Sequence, residues 1–359
     1  MANRVTLKEI AERMGTSTST VSKALNNASD ISTDLKNSII ETAVKMGYKN
    51  RNAFKEDKRK LILFIENMEY KKPSDFGYDI ILGFKTQAAK ENYTVDILPI
   101  TPDFQKENHY DSYMMQNGYN ASFGVGFSLE DPWMEEFKTS TFPTALLDNI
   151  IQGTPNVCNI STDSDEGIEL AIEHLIKLGH EKIGFLNGST NSYISNRRMS
   201  AFLKSMSKNH LPIDPALAIY GYFIAEAAPY HVPNLISAGA TAIVCGNDLI
   251  AKGVIDCLKD MNLKVPEDVS VIGFDDLPMA STLNPPLTTI KQDRVALGVN
   301  GYFVLYAMLN NVSQSKSLLR PSLIVRESTA VCKMRIVTEK IVDKDSVMYQ
   351  NPELFNQRF

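Results

Sequence analysis

The chain has 359 residues, of which 43% are hydrophobic and 22% charged, with a formal net charge of -5. That is enough apolar material for two or more cores beside a small module, and it excludes disorder on a large scale. The N-terminus carries no apolar run that could act as a signal peptide and no stretch approaches membrane-spanning length, so a cytoplasmic protein with no membrane partner is expected.

The first element runs from Thr6, spaced from Glu9 as a capping box, through Leu7, Ile10, Ala11 and Met14 at helical spacing. Gly15 supplies the turn and Ser17 the N-cap of a second helix that buries Val21 and Leu25. Thr18, Ser19, Ser22 and Lys23 point away from this pair, a set of short hydroxyls and one cation suited to base edges in a major groove. A third helix, capped at Ser32, places Leu35, Ile39, Ile40 and Ala43 inward and stops at Gly47, before Tyr48. Three short helices also describe an ordinary bundle that uses hydroxyls only as caps. Charge favours the DNA-reading alternative: residues 1–60 hold twelve Lys and Arg against seven Asp and Glu, whereas residues 61–359 hold 25 against 35. A basic head suits phosphate contact, and an acidic body discourages the rest from lying on DNA.

From Leu61 the pattern changes to apolar runs alternating with helices: LILFIEN, TVDILPI from Thr94, SFGVGF from Ser122 and TALLDN from Thr144. A second series follows, KIGFLNG from Lys182, TAIVCGND from Thr241 and VSVIGFDD from Val269. Runs of this kind predict strands buried on both faces in two parallel, doubly wound α/β halves. Ligands bind such sheets beyond the carboxyl ends of the strands. Polar residues gather there: Glu66 and Asn67, Asp148 and Asn149, Asn187, Asn247 and Asp248, Asp275 and Asp276. An Asp or Asn in that position also serves simply to cap the following helix.

Taken together, the head from Val5 to Tyr48, IEHLIKLGHEKIGFLNG from Ile172, TAIVCGND, VSVIGFDD and PPLTTIKQD from Pro285 resemble the lactose-repressor (LacI/GalR) family of bacterial transcription regulators. The resemblance covers residues 5 to about 332 and implies a helix-turn-helix, lambda-repressor-like head over 1–48 and a hinge over 49–60. It further implies a periplasmic-binding-protein-like core over 61–332 that crosses three times between two doubly wound subdomains. The first would comprise 61–160 with 290–319, the second 161–289 with 320–332. It also implies a homodimer on a near-palindromic double-stranded operator, regulated as a repressor by a small molecule held between the subdomains.

The family's base-reading positions fall on Thr18, Ser19 and Lys23, with Thr6, Ser17, Thr20, Ser22, Asn26 and Tyr48 as backbone-positioning or base-adjacent partners. Lys23 stands where Arg is usual, which favours a point-charge contact over a bidentate one. In the hinge, Asp57 occupies the position where members that kink DNA place a Leu. Either Phe54 takes the wedge role in a shifted register or, as we favour, the hinge acts as a basic tether.

The family's sugar-contacting arginine corresponds to Arg198, with Arg197 the alternative if the register slips by one. Asp148, Asn247 and Asp275 match three further ligand positions, while Glu66, Tyr70, Phe76 and Tyr78 belong to the first subdomain's face of the cleft. Phe223 or Tyr222 could stack on a sugar, and either could equally be plain core. Arg198 could also be an ion-pair partner of Asp275. A guanidinium with carboxylates and an amide suits a polyol, so a sugar or glycoside effector is expected, as inducer or corepressor.

No enzymatic constellation is found: His109, His174, His180, His210 and His231 lack metal-ligand spacing, no P-loop is present, and no cofactor or metal is expected. Cys158, Cys245, Cys257 and Cys332 form no CxxC pair and read as reduced, buried thiols. A transport-type sugar-binding protein would fit the core but not the basic head. Residues 333–359 hold no a/d heptad, so a tetramerising coiled coil is not expected and their role stays open.

Overall fold

The computed structural model describes residues 5–26, 28, 30–48 and 59–333. Phe54, Asp57 and the tail beyond 333 lie outside them. The head is three helices, α1 (Leu7–Met14), α2 (Thr18–Leu25) and α3 (Thr33–Lys45), around Ile10, Ala11, Val21, Ala24, Leu25, Ile39, Ile40 and Ala43. Local chemistry sets the first two starts. Thr6 and Glu9 form the reciprocal capping box, and the Ser17 hydroxyl accepts from the Thr20 N–H at 3.0 Å. Gly15 turns the chain at φ 63°, in the left-handed region that only glycine enters without strain. Two expectations change. Ser32 sits at the N-cap of α3 without a side-chain cap hydrogen bond, and Leu35 is exposed because it lies on the outer side of α3.

The core follows in two sheets of six strands. The first is built by β1 (Lys60–Ile65), α4 (Phe76–Lys90), β2 (Thr94–Pro99), α5 (Pro102–Glu107), α6 (Tyr110–Asn117), β3 (Ala121–Val125), α7 (Pro132–Glu136), β4 (Thr144–Leu147) and β5 (Val157–Thr162). The second comprises α8 (Ser164–Lys177), β6 (Ile183–Asn187), α9 (Tyr193–Lys208), β7 (Ala218–Tyr220), α10 (Ala228–Ser237), β8 (Ala242–Cys245), α11 (Asp248–Asp260), β9 (Ser270–Asp275) and β10 (Thr288–Lys291). The chain then returns through α12 (Arg294–Leu309) and β11 (Lys316–Leu319) to the first half and ends on β12 (Ser322–Ile324) in the second.

Strand orders are β11-β5-β4-β3-β1-β2 and β12-β10-β9-β8-β6-β7, parallel throughout except for the antiparallel β10–β12 pair. Central strands are buried on both faces, which is why they read as unbroken apolar runs. The three crossings fall after Thr162, after Lys291 and after Leu319. The first two lie two residues beyond the boundaries expected from sequence, because Thr162 still pairs with Leu319 and Lys291 with Asp275. All four cysteines are free. Cys332, however, is only partly buried.

The return helix is held by close backbone approach. A Cβ on Gly298 of α12 would lie 1.9 Å from the Ile80 carbonyl oxygen of α4, and one on Gly83 would lie 2.2 Å from that of Val295. Backbone cannot yield as a flexible side chain can, so Gly298→Ala is expected to destabilise the fold by about 3 kcal/mol. Equilibrium urea unfolding would check this; a loss below about 0.5 kcal/mol would show that the helices separate freely.

Candidate effector cleft and DNA-reading face

Arg198 of α9 is 3% exposed and sits at the centre of the polar strand ends. Its Nη1 donates to the Gly246 carbonyl at 2.6 Å, and its guanidinium carbon lies 3.8 Å from the centroid of the Phe274 ring. Its Nε is buried with no partner. Burial lowers the affinity of this group for its proton, against the opposing charges of Asp275, Asp148 and Asp248. Those carboxylates come from both halves, Asp148 from the end of β4 and the other two from the ends of β9 and β8.

The aspartates are held in costly states. Asp148 and Asp275 have positive φ, 52° and 118°, a backbone strain of order 1–3 kcal/mol each that persists only where surroundings enforce it. Burial raises the pKa of Asp148, opposed by Arg198 and by the Ser161 hydroxyl, which donates to it at 2.5 Å. Burial likewise pushes Asp275 up to about 7 despite Arg198 and the Gln292 amide, which donates to Oδ1 at 2.6 Å. Thus the alternative of a direct Arg198–Asp275 ion pair is not what holds Asp275. Its nearest donor is Gln292, and Arg198 acts on it through space.

Asn247 has two structural duties: Oδ1 accepts from the Ile250 N–H at 2.8 Å, capping α11, and Nδ2 donates to the Phe223 carbonyl at 3.4 Å. The Phe223 ring lies directly over Gly188 and packs on the second core, while Tyr222 is 53% exposed. Asp248, which sequence placed only at a strand end, is fully buried and accepts from Thr289 Oγ1 and the Leu277 N–H. Arg197 turns outward to Asp165 at 2.7 Å, so the two arginines are distinguished by position: Arg198 faces inward.

On the first half, Tyr70 and Phe76 pack against the core beneath them. Glu66 does not join the Arg198 cluster. It is buried and hydrogen-bonded to Asp131, with Oε2 unpartnered, and desolvation followed by the Asp131 charge raises its pKa to about 8. The loop before Asp131 touches the other half, where the Leu129 N–H donates to the Asn191 carbonyl at 3.0 Å.

Gln292 and Arg294, beside the second crossing, were not singled out by sequence reasoning. Arg294 is 8% exposed, and its Nη2 pairs with Asp79 of α4 at 2.8 Å while Nη1 donates weakly to the carbonyls of Asp275 and Asp276. The only signal was their position in the PPLTTIKQD run and just after it.

On the head, Thr18, Ser19 and Lys23 of α2 are exposed together. Ser17 and Thr20 bond each other at 2.8 Å and Asn26 Nδ2 donates to the Ser22 carbonyl at 2.8 Å, so these residues shape the helix. Thr6 is committed to its capping box. The Tyr48 ring packs on the head core. Lys23 pairs with Asp30 at 2.5 Å, a contact on the solvent-facing side that a phosphate could replace.

The profile of "Bacterial regulatory proteins, lacI family" matches residues 6–50, and that of "Periplasmic binding protein-like domain" matches residues 172–329. The HTH-type transcriptional repressor CytR of Escherichia coli (strain K12) is 26% identical over 333 residues, covering 90% of this chain and 96% of CytR. The structure of the lac repressor bound to ONPG in the repressed state superimposes with TM-score 0.65 at 26% identity, covering 91% of this chain and 100% of that one. The transcriptional regulator CelR in complex with cellobiose gives TM-score 0.68 at 20% identity, covering 90% and 100%. The head thus matches the lacI family of bacterial regulatory proteins and the core a periplasmic-binding-protein-like domain, the two parts of the LacI/GalR family that the motifs resemble. Its relatives are transcriptional repressors that bind DNA. Among the described residues no helix is long and apolar enough to cross a membrane.

The raised Glu66 pKa has a stability consequence with a definite sign. Between the ordinary carboxyl value of 4.5 and about 8 the folded chain holds a proton that the unfolded chain releases, so stability falls as pH rises through that window. Trp133, the single tryptophan of the chain, is a local reporter, since its backbone N–H donates to Gln105 Oε1, whose side chain bonds Asp131 in the same polar cluster. Trp133 emission is expected to titrate with a midpoint near 8 and to be flat in Glu66→Gln. An identical titration in the variant would assign the transition elsewhere.

Proposed function

We propose that this protein is a homodimeric transcriptional repressor whose operator affinity is set by a carbohydrate bound between the two halves of its core. The observation that carries the effector assignment is Arg198, a buried cation with an unused Nε donor between aspartates from opposite halves. A polyol that accepts from the guanidinium and donates to Asp148 and Asp275 would satisfy all three at once. CelR, of the same fold, is a complex with cellobiose. Asn247 adds an amide at the cleft edge, and Phe223 an aromatic wall. Tyr70, Phe76 and Glu66 form the opposing side, with Glu66 set back from the ligand by its contact with Asp131.

The output is the exposed face of α2. Thr18 and Ser19 are proposed to read base edges and Lys23 to exchange Asp30 for the DNA backbone or a base acceptor, with Thr6, Ser17, Thr20, Ser22, Asn26 and Tyr48 positioning the head. The dimer is proposed to use the first half, where the packed helices α4 and α12 leave Leu82, Val295, Phe303 and Tyr306 exposed. A ligand that binds one arrangement of the halves more tightly must shift operator affinity by the same ratio.

Two measurements test the reading. In a thermal-shift panel of mono- and disaccharides, one sugar is expected to stabilise the protein, by about 2.7 kcal/mol at a hundredfold excess over Kd, and Arg198→Lys to weaken its binding at least tenfold. A panel without response, or a variant that responds as wild type does, would remove the assignment. Selection from randomised duplexes should return a different site for Thr18→Ala with Ser19→Ala. An unchanged site would exclude these two as base readers.

A further inference from the structure

The head and the core are in direct contact. Met115, on the last turn of α6, is 7% exposed and belongs to the hydrophobic cluster of the head rather than to the core's own. Phe142, in the loop leading to β4, is shared between that cluster and the cluster of the first subdomain. Beside them the Gln116 amide donates to Asn37 Oδ1 of α3 at 3.2 Å. Helical spacing puts Ile40 and Val44 on the same side of α3 as Asn37, so an apolar stripe accompanies the polar contact.

This patch is built, not incidental. Asp111 of α6 accepts from Ser140 Oγ at 2.6 Å and from the Thr141 N–H and Oγ1, both at 3.0 Å. These bonds fix the loop that carries Phe142 against the helix that carries Met115. The base of the patch is equally rigid. Tyr110 at the start of α6 is fully buried, and its hydroxyl bonds Ser122 Oγ of β3 and Thr144 Oγ1 of β4, each at 2.6 Å. β4 ends one residue before Asp148. The receiving surface and the effector cleft are therefore two ends of one hydrogen-bonded unit.

The seated head keeps its working face free. α3 meets the core, whereas Thr18, Ser19 and Lys23 of α2 remain exposed. A contact that parked the head would cover α2.

We propose that the α6 patch of Met115, Gln116 and Phe142 is the seat that orients the DNA-reading head through α3, so that motion of the first subdomain reaches the head by direct contact as well as through the connecting segment. This rests on the regulator reading for its function, though the contact itself does not. A buried apolar seat fixes position and angle, which a flexible tether cannot do. Two heads of a dimer seated this way present α2 at a spacing set by the cores, and a shift of the first subdomains changes that spacing.

The test compares full-length wild type with Met115→Asp and, as a milder change, Gln116→Ala with Asn37→Ala. Hydrogen exchange of the α3 amides reads the seat, core melting and Trp133 emission confirm that the first subdomain is intact, and affinity for a duplex selected by the wild type reads the function. The expected result for Met115→Asp is at least tenfold faster exchange in α3 and at least tenfold weaker duplex binding with the core unchanged. The double alanine variant should show the same changes to a smaller extent. Unchanged α3 exchange in Met115→Asp would overturn the seat, and faster exchange with unchanged duplex affinity would overturn its role in orientation. Should Met115→Asp fail to melt as wild type does, the double alanine variant decides by the same criteria. A wild type that enriches no duplex would instead count against the regulator reading, while its α3 exchange would still decide whether the head is seated.

Discussion

The placement of one positive charge governs this core. A guanidinium taken out of water carries a desolvation cost of several kcal/mol, which is recovered only by nearby opposite charge and hydrogen bonds. Arg198 has one carbonyl and the face of Phe274 from its own half, and it feels Asp275 and Asp248 there. Asp148, from the other half, adds to the same balance. The relative position of the halves thus enters the energy of a buried ion. Opening the cleft would weaken the Asp148 term, and a ligand with several hydroxyls could restore it. Strained backbone at Asp148 and Asp275 fits the same account, because both carboxylates are held where a relaxed chain would not leave them.

The crossing segments limit what the halves can do relative to each other. Arg294 opens α12, yet it reaches Asp79 on one side and the carbonyls after β9 on the other, so the second crossing is tied to both sheets. Gln292 next to it holds Asp275. Motion at this point would disturb the Asp275 carboxylate directly. At the opposite edge the only backbone bridge described between the cleft loops is Leu129 to Asn191, which one hydrogen bond can break and remake. Ties near the crossings and few contacts at the mouth are the arrangement a hinge requires.

Sequence made the layers of this fold legible because parallel strands covered on both faces must be apolar throughout, and the capping box at Thr6 and the turn at Gly15 are local chemistry. It also marked Arg198 and the strand-end aspartates. What it could not convey was direction. Glu66 ends a strand as Asp148 does, yet it turns to Asp131, a residue sixty-five positions away. Asn247 looks like a ligand group and is also the cap of α11. Leu35 was assigned inward on helical periodicity, though three turns of helix with apolar residues on two sides leave the choice to packing. The first two crossings lie two residues further on because ladder pairing between distant strands, invisible in any local window, decides where a strand stops.

The contact between head and core was the least legible feature, and for the same reason. Nothing in the sequence of α6 announces that its last turn, with Met115, faces another module. Only the fold brings α3 against it. Once it does, the path from cleft to DNA-reading face is short: Asp148 follows β4, β4 carries Thr144, Thr144 bonds Tyr110, and Tyr110 begins the helix whose far end carries Met115. Each link is a packed or hydrogen-bonded contact, so α6 and the sheet beneath it connect the cleft end of β4 to the surface that meets the head. Interfaces of this kind hold discrete arrangements rather than a continuum, because close-packed surfaces do not deform gradually. On the proposed seating, rotation of the first subdomain about the cleft displaces the seat of the head with it.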